Sequence, residues 1–203
     1  GLEPAQLTTD PRAPGATTSK QPRAGIVWLH GLGDTARGCS SLAKVICMPL
    51  PTRWAFPSAP VRQVSADWGL PRRAWFDMST MPVRKGISED SEGLGAAVAR
   101  VHAAIQGLES QGVDPARIIV GGLSQGGAVA LSAALTYPRR LGGAMALAGW
   151  LPRCVKLPRE RRHCPVFWQH GGTDECVLPE LQDAGIKRLQ GAGVEVTRVY
   201  DKE

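Results

Sequence analysis

"ARIIVGGLSQGGAVALSAALTYP", residues 116–138, passes from the β-branched run Ile118 to Val120, through paired glycines around Leu123, Ser124 and Gln125, into small residues that suit a helix until Pro138 closes it. Inside it, Gly122 to Gly126 fits the G-x-S-x-G pattern of a nucleophile elbow, a tight strand-to-helix turn that thrusts a serine hydroxyl out of the fold. In a chain with 24 glycines the pattern alone is weak, so its flanks decide. A strand directly before Ser124 and a helix directly after it make the serine a candidate nucleophile. Side chains at 122 and 126 would collide in so tight a turn, and the helix N-terminus favours negative charge developing nearby. The structural alternative is a glycine-rich turn that only packs a helix on a sheet.

Upstream, "AGIVWLHGLGDT" holds a short apolar run, Ile26 to Leu29, bounded by glycines as in a strand buried on both faces. "RWAFPSAP" reads as a second strand ending at Pro57, with a helix between them over 38–48. Residues 57–88 have no sustained period and contain Pro57, Pro60, Pro71 and Pro82. A loop of that length is functional or disordered, and its Trp68, Trp75 and Phe76 suggest buried or site-lining aromatics. Leu94, Val98, Val101, Ile105 and Leu108 recur at helical spacing over 89–109, with His102 at the border of the stripe. Further strands are expected at 143–149, 165–170 and in "VEVTRVY", and a helix at about 179–190. Strands alternating with helices predict an α/β fold, a mostly parallel sheet with helices on both faces and ligands at the carboxyl ends of its strands.

Length and composition set the frame. The 203 residues are 43% hydrophobic, enough for one sizeable core, so residues 23–203 are read as one domain. Residues 1–22 lack periodicity and read as a disordered lead-in or a remnant of cloning. No apolar run is long enough to span a bilayer, and the N-terminus lacks a signal-peptide layout. Five cysteines without a C-x-x-C pair suit free thiols in a reducing, cytoplasmic setting. Cys154, His163, Cys164, His170 and Cys176 are spaced unlike zinc ligands, so no metal is expected. The net charge of +6 is densest in "PRCVKLPRERR", 152–162, which has no aromatics to stack on bases. That argues against nucleic acid and leaves solvated surface charge or transient contact with anionic membranes.

Acyl transfer at Ser124 also needs donors for a tetrahedral oxyanion. One is the backbone N–H of Gln125, the residue after the serine. The second belongs after an earlier strand, and in "HGLGD", 30–34, Leu32 is the best candidate; His30 there more plausibly holds the loop than acts as base. An acid belongs at the end of a late strand, and "FWQHGGTDECV" supplies Asp174, in the chain order Ser…Asp…His. Asp174 as a simple turn cap is the alternative.

These residues resemble the acyl-protein thioesterases and their lysophospholipase and carboxylesterase relatives. "WLHGLGD", "PSAPVR", "WFDM", "GGLSQGG", "GWLP" and "HGGTD" stand in that family's order from about residue 24 to the end. The resemblance implies an α/β-hydrolase fold and a cytoplasmic serine hydrolase without cofactor. It would cleave long-chain acyl thioesters or esters through an acyl-enzyme, with S-acylated proteins (depalmitoylation) or acyl-ester lipids as substrates. It maps Ser124 as nucleophile, Asp174 as orienting acid, Leu32 and Gln125 as oxyanion donors, and places Trp75 and Trp150 near the acyl site. A small-molecule carboxylesterase or lysophospholipase, or a non-catalytic lipid-binding relative, would share much of this. In the family the histidine of the triad follows the last strand and a final helix completes the fold. This chain stops at "VYDKE", so its end is read as incomplete, and none of its four histidines is expected to serve as base.

Overall fold

A computed structural model describes residues 6–9, 23–157 and 164–202. In chain order its elements are β1 (Gln6–Thr9), β2 (Ala24–Leu29), α1 (Ala36–Cys39), α2 (Leu42–Val45), β3 (Thr52–Phe56), β4 (Val61–Val64), β5 (Leu70–Arg73), α3 (Ser91–Glu109), β6 (Ile118–Leu123), α4 (Gln125–Thr136), β7 (Gly143–Leu147), β8 (Val166–Gly171), α5 (Glu180–Gly191) and β9 (Val196–Asp201). Seven strands make one sheet in the order β1-β3-β2-β6-β7-β8-β9, and every pair is parallel except β1 with β3.

Alternation along the strands divides the core. In β2, Val27 and Leu29 join the large cluster formed with α3, α4 and α5, while Ile26 and Trp28 pack on the opposite face with Ala36 of α1 and Ala43 of α2. Helices therefore cover both faces, as expected. Residues 125–135 of α4 are all buried, the pattern of a central helix with no solvent face. Its hydroxyls are satisfied locally: Ser132 donates to the Ala128 carbonyl at 2.6 Å and Thr136 to that of Ser132 at 2.7 Å.

Several expectations change. The helix over 38–48 is two short helices, α1 and α2, separated at Ser40 and Ser41; Thr35 caps the first by accepting the Gly38 N–H. Residues 57–88 contain a second small sheet, the hairpin β4–β5, in which Gln63 pairs with Pro71. Trp75 and Phe76 are buried, but Trp68, expected among buried or site-lining aromatics, is 95% exposed at the hairpin's turn with φ of 55°. β1 falls within residues 1–22, read from sequence as lying outside the fold, and pairs antiparallel with β3; the rest of 1–22 lies outside the described residues.

The strand register aligns the carboxyl ends. Leu29 pairs with Gly122, Leu123 with Leu147, and Leu147 with Gln169. The loop after β2, the serine after β6 and the turn after β8 thus emerge on one edge of the sheet.

Candidate active site

Ser124 sits between β6 and α4 with φ of 52° and ψ of −120°, a conformation a non-glycine residue holds only when its surroundings impose it. Its N–H donates to the Leu147 carbonyl at 2.8 Å, and its own carbonyl accepts the Ala128 N–H at 3.1 Å. A Cβ on Gly122 would lie 2.5 Å from Gly126 carbonyl atoms, and one on Gly126 would lie 2.5 Å from the carbonyl oxygens of Leu29 and His30. Main chain meets main chain on both sides, so only glycine lets α4 start here.

Gln125 opens α4, where first-turn amides have no intrahelical acceptor and carry the positive end of the helix dipole. The 30–34 loop lies beside it. Gly33 N–H donates to the Arg73 carbonyl at 2.8 Å and Asp34 N–H to the Gly31 carbonyl at 3.2 Å, which brackets Leu32 between fixed points. His30 is 1% exposed and has both ring nitrogens engaged: Nε2 accepts the Ala59 N–H at 3.0 Å, which leaves Nδ1–H to donate to the Gly31 carbonyl at 2.7 Å. Burial pushes its pKa below the ordinary histidine value, so the ring is neutral and holds the loop.

Asp174 lies just beyond β8. Its Oδ1 accepts the N–H groups of Cys176 and Val177 at 2.8 and 2.9 Å, which is the turn cap. Its Oδ2 is 3.4 Å from Nε2 of the fully buried His170, which also approaches the Val177 carbonyl at 2.7 Å. Sequence reasoning placed His170 only at a strand end; the i,i+4 spacing to Asp174 across the glycine turn was the available signal. His102 Nε2 bonds the Ala133 carbonyl at 2.9 Å and its ring meets Tyr137 edge-on. His163 lies outside the described residues. From Glu175 to Lys202 there is no histidine.

A cavity of about 290 Å³ opens beside this edge. Val83, Ile87, Trp150, Leu151 and Leu181 form its apolar wall, with Arg84, Lys85, Arg153 and Arg188 around it. Trp150 also lines a smaller pocket with Phe76, against whose ring it packs edge-on at 5.8 Å. Ser124 lines neither. Trp75, expected near the acyl site beside Trp150, lines neither as well; it is buried, and its indole N–H donates to the His30 carbonyl at 2.9 Å. In the basic stretch Arg153 is committed to the protein, 3.7 Å from Glu89 and donating to the Ile87 carbonyl, whereas Lys156 is exposed. Arg159, Arg161 and Arg162 lie outside the described residues.

No helix among the described residues is long and apolar enough to cross a membrane. The model of the phospholipase/carboxylesterase family matches residues 16–198. A probable carboxylesterase of Oryza sativa subsp. japonica is 39% identical over 187 residues, covering 89% of this chain and 70% of the relative. Acyl-protein thioesterase 1 of Schizosaccharomyces pombe is 34% identical over 170 residues, 82% of this chain and 75% of that one. The crystal structure of Arabidopsis thaliana SOBER1 superposes with a TM-score of 0.80 at 34% identity, covering 88% of each chain. The parallel sheet, the helices on both its faces and the family match together make this an α/β-hydrolase fold, and the chain belongs to the phospholipase/carboxylesterase family.

Proposed function

We propose that this serine hydrolase cleaves long-chain acyl thioesters or esters, with Ser124 as the covalent nucleophile. The observation that carries the reading is the enforced positive φ of Ser124 at the β6–α4 junction, beside the first amide of a buried helix. Attack on the acyl carbonyl would form a tetrahedral oxyanion facing the N–H groups of Gln125 and Leu32. Collapse would expel the thiol or alcohol, which leaves with the proton given up by the Ser124 hydroxyl, and water would release the acid from the acyl-enzyme and return a proton to Ser124. Asp174 is assigned as orienting acid: Oδ1 is consumed by its own turn, which fixes Oδ2 in direction. The base is assigned to none of the described histidines: His30 has both ring nitrogens engaged, and the Nε2 atoms of His102 and His170 are each held by a backbone carbonyl. The apolar wall at Trp150 suits an acyl chain, and S-acylated proteins or acyl-ester lipids fit such a site.

A fluorophosphonate probe is expected to mark the protein once, and Ser124→Ala to abolish the mark; equal labelling of the variant would refute the assignment. Rates across ester and thioester chain lengths separate a long-chain enzyme from a small-ester one. A lipid-binding role without turnover is the second reading, favoured by the engaged histidines; fatty-acid binding without hydrolysis in the full chain would establish it. For encounter with anionic membranes, Lys156, Arg159, Arg161 and Arg162 are the assigned contacts, each contributing about 1 kcal/mol. Vesicle binding unchanged by their neutralisation removes them.

A further inference from the structure

Gln125 has no solvent exposure, and a buried primary amide is costly unless both its ends are bonded. Its Oε1 accepts the Trp75 N–H at 2.9 Å and its Nε2 donates to the Phe76 carbonyl at 2.7 Å. One partner only donates and the other only accepts, so the amide has a single orientation. The bonds clamp the segment 73–76 to the first turn of α4. The same segment grips the 30–34 loop on either side of Leu32: the Trp75 indole N–H donates to the His30 carbonyl at 2.9 Å, and the Arg73 carbonyl accepts the Gly33 N–H at 2.8 Å. The loop and α4 also abut directly, since Gly126 faces the His30 carbonyl with no room for a Cβ. That contact limits how near they come; the clamp governs how they are turned relative to each other.

We propose that the Gln125 side chain is a positioning residue for the oxyanion site, fixing the Leu32 N–H, through Trp75 and His30, relative to the N–H that Gln125 itself supplies. The inference rests on the assignment of those two amides as oxyanion donors. Oxyanion donors act at about 2.7–3.1 Å from a charge that exists only in the transition state. Misplacing one by about 1 Å costs roughly 10²-fold in rate with little effect on ground-state binding.

The experiment compares Gln125→Met, which keeps volume and removes both bonds, with Trp75→Phe, which removes only the indole donor. Each is measured by hydrolysis of a nitrophenyl octanoate and by affinity for an alkyl trifluoromethyl ketone, whose hemiketal with serine mimics the tetrahedral intermediate. Both variants are expected to lose about 10- to 100-fold in kcat, with KM within about twofold and ketone affinity falling in step. The double variant should lose no more than the worse single one, because both cut the same linkage. A cooperatively melting variant with wild-type kcat and ketone affinity, or one whose loss lies wholly in KM, overturns the proposal; should Gln125→Met not fold, Trp75→Phe decides alone. A ketone adduct that survives Ser124→Ala, seen by its fluorine resonance, overturns the nucleophile assignment itself, a failure these variants cannot imitate.

Discussion

Gly126→Ala adds one methyl group where the structure has least room. The new Cβ would stand 2.5 Å from the carbonyl oxygens of Leu29 and His30 and 2.8 Å from the Leu29 carbonyl carbon. Carbon–oxygen contacts relax at about 3.3 Å, so α4 and the end of β2 must separate by roughly 0.8 Å. Neither side can turn away: β2 is hydrogen-bonded between β3 and β6, and α4 is buried along its length. Overpacking of this kind costs about 1–3 kcal/mol, which in a domain of this size lowers Tm by about 2–12 °C. The larger effect is expected on catalysis, because the separation carries Gln125 N–H away from the 30–34 loop; a shift approaching 1 Å corresponds to roughly 10²-fold in kcat. Thermal unfolding and ester hydrolysis on the same preparation test both halves. A variant with unchanged Tm and more than half of wild-type kcat would refute the claim that this contact sets the site.

Gly95→Ala is the matching control: nothing lies within 4 Å of the added Cβ in α3, and removing a helical glycine should stabilise by about 0.5–1 kcal/mol without altering kcat. Asp174→Asn keeps an oxygen for the Cys176 and Val177 N–H groups, so Tm should hold within a few degrees while kcat falls up to about 10⁴-fold. Equal loss of stability and activity would reduce Asp174 to a turn cap. Because burial lowers the folded-state pKa of His30 below its ordinary 6.5, the unfolded chain takes up the proton first on acidification. The urea midpoint should stay level above pH 6.5 and fall below it until the folded-state pKa is passed, and His30→Gln should lose that slope.

The elbow was legible because its chemistry is local: a β-branched run, glycines that no other residue can replace, and a helix of small residues all lie within 116–138. The β4–β5 hairpin was not, because Pro71 argues against a strand and is tolerated only on a two-stranded edge with Gln63 as its partner. Trp68 shows the limit of reading aromatics as buried, since its hairpin is pinned through smaller groups: the Ser65 N–H and hydroxyl on Asp77 at 2.7 and 2.6 Å, and Arg62 on Asp90. The helix over 38–48 gave way at Ser40 and Ser41, where the Ser40 hydroxyl donates to the Arg37 carbonyl at 2.9 Å and such local bonding competes with helix propagation. For Gln125, sequence suggested only a main-chain role and missed the side chain, whose partners lie some fifty positions away in the chain.

The strand register that brings the loop after β2, the turn after β6 and the turn after β8 to one edge has a consequence for how reactivity arises during folding. Gly25 must find Ile118, and Ala144 must find Val166, before the three segments face one another. Such non-local pairings form late, after the entropy of closing long loops has been met. A partly assembled sheet would carry Ser124 in an ordinary turn, without its enforced backbone and without neighbouring donors. With Ser124 as the proposed nucleophile, its chemical reactivity would report on the completed sheet and be silent in any intermediate that has collapsed without pairing its strands.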